Sequence, residues 1–103
     1  MTPSELSIIG RRVNVIMTDE LPNGQLGECD AENSTIKLKP GTPLPVEADT
    51  LLHVCVHCLD ERFQLKLSER QVYCITVGII ALLKDNEDFM RYLTDAISEP
   101  KQV

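Results

Sequence analysis

Residues 51–61, LLHVCVHCLDE, decide how this chain is read. At about 100° per residue, a helix through them brings His53 and His57 within roughly 40° of each other on one face. Asp60 falls just beside them and Gln64 continues the line. Leu52, Cys55, Val56, Leu59 and Phe63 occupy the adjoining arc, so the two imidazoles border an apolar stripe instead of facing open water. That placement suits a metal site in a cleft, where a neutral imidazole binds the ion through one ring nitrogen and donates from the other to a carboxylate. Asp60 is the candidate for that supporting role.

Two histidines alone do not complete a zinc site, which takes three or four ligands in tetrahedral geometry. Glu69 comes early in the next helical stretch, and an antiparallel helix pair would return its carboxylate to the histidine face. His53, His57 and Glu69 are therefore the candidate ligands, with zinc as the candidate cofactor. Cys74 is the rival third ligand, although its place in VYCITVGII points to the core. Cys55 and Cys58 share a C-x-x-C spacing but project away from the histidine arc. A redox C-x-x-C normally opens a helix after a strand, so these two read as packing residues.

Outward from that helix the patterning changes. Residues 7–18, SIIGRRVNVIMT, read as one strand with Val13, Val15 and Met17 facing a core. DELPNGQLGECD supplies turn residues and a short second strand around 26–29, and TIKLK at 35–39 forms a third with Ile36 and Leu38 inward. The expectation is a three-stranded antiparallel meander over about residues 7–39, ended by PGTPLP. Three helices follow, at about 46–64, 69–84 and 87–97. Ser68 and Gln71 form a capping box for the second, and Val72, Ile75, Ile79, Leu82 and Leu83 give it a buried stripe. FMRYLTDAI reads as a short third helix closing on the core. The fold class is α+β, with one domain over 1–98 and a tail at 99–103.

The totals bound the function. A chain of 103 residues, 43% of them hydrophobic, can bury one modest core, which fits a single domain. No apolar run has membrane-spanning length, and MTPSELSIIGRR lacks the basic start and apolar block of a signal peptide, so a soluble, cytoplasmic protein is expected. A net charge of −6 argues against binding nucleic-acid phosphates, which needs a clustered basic surface. The four cysteines are expected as free thiols, because nothing else in the chain has the look of a disulfide scaffold.

Taken in order, strands, histidine-paired helix and second helix resemble a minimal zincin, similar to the small phage-encoded metallopeptidases of the SprT-like and ImmA/IrrE-like groups. The resemblance rests on LGECDAENSTIKLK, ADTLLHVCVHCLDE, LKLSERQV and ALLKDNEDFM, and covers about residues 12–92. It implies that His53 and His57 are metal ligands with Glu69 as the third. It also implies a glutamate where Val54 stands, because in H-E-x-x-H proteases that glutamate is the general base for the metal-bound water. An apolar side chain cannot carry the proton, and such help is worth about 10²–10⁴-fold in rate. Glu61 lies about 80° round from His53 and one turn beyond His57, out of reach of that water. The expectation is a zincin-like, non-proteolytic domain of a phage, working in a bacterial cytoplasm through a metal-stapled structure or a protein partner. The alternatives are an active zinc metallopeptidase with a displaced base, an acidic inhibitor that mimics DNA, and a plain structural component.

Overall fold

The chain reverses at Ile9 and Gly10, both at positive φ (49° and 76°), the backbone shape of a two-residue hairpin turn. In the computed structural model, which describes residues 1–100, the expected first strand is therefore two: β1 (Glu5–Ile8) and β2 (Arg11–Met17). They pair antiparallel, Leu6 opposite Val13. After a 3₁₀ turn at Pro22–Gly24 come β3 (Gly27–Asp30) and β4 (Thr35–Leu38), also antiparallel to each other. Between them Asp30 holds the turn, accepting from the Asn33 backbone and side-chain amides at 3.2 and 2.9 Å. These two bonds hold the Asp30 carboxyl below its ordinary range.

The strand order is β1-β2-β4-β3, and β2 runs parallel to β4. This corrects the three-stranded antiparallel meander: the sheet has four strands and is mixed. Alternation along each strand fixes which side chains face the core, and it does so here, but it carries no information on which strands are neighbours. β4 takes the place beside β2, and β3 becomes an edge strand.

Val13, Val15, Ile36 and Leu38 share one sheet face and are buried together with Val54 of α1 (Leu44–Phe63). Met17 was expected on that face and is 43% exposed, at the very end of β2. The opposite face of the sheet lies open, with Ile16 exposed and Glu28 pairing Lys37 at 3.9 Å. α1 begins behind Pro43 and stops at Gln64, which takes the left-handed conformation and returns its N–H to Asp60 and Glu61 carbonyls.

α1 crosses β3 at close quarters. A Cβ on Gly27 would stand 2.8 Å from Thr50 Cγ2 and 3.1 Å from Leu38 Cδ2, so the missing side chain is what lets strand and helix approach. Gly27→Ala is expected to cost about 1–3 kcal/mol by forcing that contact apart, measured as a lower urea midpoint at unchanged slope.

The second helix, α2 (Glu69–Asp85), starts with the expected capping box: Ser68 Oγ accepts from Gln71 N at 3.1 Å and Gln71 Oε1 accepts from Ser68 N at 2.8 Å. Among the other elements α2 touches only α1 and the third helix, α3 (Glu87–Ser98). Its buried positions are Val72 and Thr76, with Ile80 and Leu83 half-buried on the same line. Ile75, Ile79 and Leu82, expected in the core, are exposed, because the two neighbouring helices cover a narrower arc of α2 than a sheet would. Among the described residues α3 packs on α2 alone and buries none of its own side chains, so it does not close on the core. Of the tail expected at 99–103, residues 101–103 lie outside the described residues. Among the described residues no helix is long and apolar enough to cross a membrane.

Candidate metal centre

α1 is buried on two sides and open on a third. Val54 points to the sheet and is 3% exposed, while Val56, about 200° round the helix, is buried away from it. The arc between them carries Asp49, Thr50, His53, His57 and Asp60, and it forms the floor of a cleft of about 680 Å³. Gly27 and Glu28 of β3 line one side, and Glu69, Tyr73 and Thr76 of α2 the other.

Three side chains converge in this cleft. His53 Nε2 lies 2.7 Å from Glu69 Oε1, His57 Nε2 lies 3.0 Å from Glu69 Oε2, and the two Nε2 atoms are 3.2 Å apart. The rings meet edge to face, with centroids 4.8 Å apart and planes at 73°. The three ligand atoms all lie within 4.8 Å of one another, so His53, His57 and Glu69 form a group that could hold a metal ion. Two structural choices bring them together. Helical spacing puts the histidines one turn apart on α1, and the capping box starts α2 so that Glu69 occupies its first turn facing them.

Electrostatics favours the ionised carboxylate. Partial burial works to raise the Glu69 carboxyl, but the hydrogen bond with His53 and the charge of His57 outweigh it and hold the group below its ordinary range. Near a helix N-terminus the α2 dipole acts in the same direction.

Asp60 has a different partner from the one expected. Its Oδ1 accepts the Leu67 backbone N–H at 3.0 Å, which fixes the connector between α1 and α2 instead of orienting an imidazole. Cys74, the rival ligand, is exposed on α2 and not in the core. Cys55 and Cys58 are half-buried against the sheet, as packing residues would be. Burial, followed by the bond with Cys29 and the neighbouring Cys29, Cys55 and Glu61, pushes the Cys58 thiol up to about 12. Burial and then Cys29 raise Cys55 as well. Sequence reasoning overlooked Asp49, Tyr73 and Glu28, which line the cleft. The first two carried a signal: Asp49 precedes His53 by one helical turn, and Tyr73 follows Glu69 by one.

No protein-family model, characterised protein or solved structure matches this chain.

Proposed function

We propose that this chain is a zincin-like domain that binds one zinc ion through His53, His57 and Glu69, and that the ion joins α1 to α2 without cleaving peptides. The observation that carries the reading is the convergence of three ligand atoms from two helices. For ligands at about 2.0–2.1 Å from tetrahedral zinc, neighbouring donor atoms stand roughly 3.3 Å apart. The two Nε2 atoms, 3.2 Å apart, are close to that spacing; each faces a different Glu69 oxygen, at 2.7 and 3.0 Å, and with one atom taken from each residue the three donors lie within 4.8 Å of one another. Two neutral imidazoles and a carboxylate are also a donor set that zinc favours. Bound zinc would hold the first turn of α2 against the middle of α1, a useful staple where α2 has no sheet to pack on.

The absence of proteolysis is argued from position 54. The side chain there is valine and belongs to the packed core, so no proton acceptor stands where a zincin carries its base. The acidic balance of the chain favours a partner protein with a basic surface, whose encounter it would accelerate. Protein purified without chelator or affinity-tag metal is expected to carry one equivalent of zinc by elemental analysis and to turn over neither casein nor peptides. Metal-free protein whose melting temperature does not respond to added zinc would overturn the reading.

The size of the cleft favours a second reading. Three protein ligands facing about 680 Å³ of open space leave a fourth coordination position accessible, as in zinc hydrolases. Peptide turnover by the zinc-loaded chain, abolished in His53→Ala, would establish it.

A further inference from the structure

Away from the zinc-ligand candidates, a pair of cysteines joins β3 to α1. Cys29, in edge strand β3, and Cys58, in α1, face each other with their Sγ atoms 3.1 Å apart. Nothing in the proposed zinc site uses either thiol. Cys58 lies about 100° round α1 from His57, on the side that packs against the sheet, and Cys29 is paired with Ile36 in the sheet register. Both are half-buried, and both are reached from a separate cavity of about 190 Å³ bordered by Ile8, Arg11, Val13 and Arg62.

We infer that Cys29 and Cys58 form a reversible disulfide that latches β3, one wall of the cleft, to α1, and that a low-molecular-weight disulfide such as oxidised glutathione closes it. The sulfurs need to approach by only about 1 Å to reach the ~2.05 Å bond length. The Cys29 thiolate attacks a sulfur of the small disulfide, breaking its S–S bond and releasing one small thiolate, which takes up a proton. Cys58, 3.1 Å away, then gives its proton to solvent and attacks the Cys29 sulfur of the mixed disulfide, releasing the other small thiolate, which is protonated in turn. The two protein thiols are oxidised by two electrons, and one small disulfide is reduced to two thiols. The sulfur in contact with Cys29 is that of Cys58; Cys55 sits one turn from Cys58 on the same side of the helix, and Cys74 is exposed on α2.

The cross-link spans about 30 residues and ties down an edge strand that otherwise has a neighbour on one side only. Its closure should therefore be visible both chemically and in stability.

The test uses the full chain equilibrated with reduced and oxidised glutathione, acid-quenched, alkylated and digested without reduction for mass spectrometry. The expected product has lost two hydrogens and joins the peptide containing Cys29 to the peptide containing Cys58, with fragmentation placing the bond on Cys58 and not Cys55. It should also form in a Cys55→Ser, Cys74→Ser double variant and open again with dithiothreitol. Its melting temperature should exceed that of the reduced chain by roughly 10 °C, a difference lost in Cys58→Ser. The inference is overturned if Cys29 remains fully alkylated at the oxidising end of the series. It is equally overturned if only glutathione adducts form, if the bond runs to Cys55, Cys74 or another chain, or if the cross-linked chain melts no higher than the reduced one.

Discussion

Val54→Glu, the change that would restore the zincin motif, is expected to destabilise the fold by about 3–5 kcal/mol and not to create a peptidase. Val54 is 3% exposed and packs with Val13, Val15, Ile36 and Leu38. A carboxyl held neutral there at pH 7, against an ordinary value near 4.3, costs about 3.7 kcal/mol, and the larger side chain adds strain. A domain of this size has about 5–15 kcal/mol in all, so the variant should unfold at a much lower urea concentration or fail to fold. Val54 also borders the cleft, which leaves one escape for the new carboxylate, toward the histidines. Comparing the variant with and without zinc separates the two cases. An unfolding free energy within about 1 kcal/mol of the parent, or casein turnover with zinc, would mean that position 54 is a vacated base site and not part of the core.

The candidate site is partly legible in the sequence, because its residues carry local signals. The helical spacing of His53 and His57 fixes their shared face, and Ser68 with Gln71 fixes where α2 begins, which puts Glu69 in its first turn. Local signals of this kind depend on residues within one or two turns of each other. The meeting of Glu69 with the histidines needed the additional assumption that the helices pack antiparallel. Longer-range features had no such signal. The Ile9–Gly10 hairpin is hidden because Ile9 stands where Asn or Asp marks most such reversals. The parallel pairing of β2 with β4 was invisible because alternation fixes faces and not neighbours. Asp60 went astray for another reason: a carboxylate beside two imidazoles is the obvious supporting group, yet a free backbone N–H at Leu67 lies closer to hand. Ile75, Ile79 and Leu82 had the spacing of a buried stripe, but spacing cannot say that a helix will have only helices for neighbours. Cys29 and Cys58 are far apart in sequence, and no pattern connects them.

The second large effect concerns the ligands themselves. In the metal-free chain, zinc at about 100 times its dissociation constant is expected to stabilise the fold by about 2.7 kcal/mol, raising the melting temperature by more than 10 °C. His57→Ala leaves one imidazole and one carboxylate, too few for tight binding, and should weaken zinc by at least about 100-fold. At the same zinc concentration the shift should then almost vanish, while the metal-free melting temperature changes little, since His57 is half-buried and Glu69 largely exposed. The Glu69 carboxyl is held below the ordinary range in the folded chain, so its stabilising contribution is present above that range and is lost as pH falls through the lowered folded value. Glu69→Gln should therefore weaken zinc binding at neutral pH and remove that acid-sensitive contribution from the metal-free chain. Isothermal titration of parent, His57→Ala and Glu69→Gln at several pH values would check both parts, and a zinc affinity that His57→Ala leaves intact would show that the convergent triad is a hydrogen-bonded cluster and no metal site.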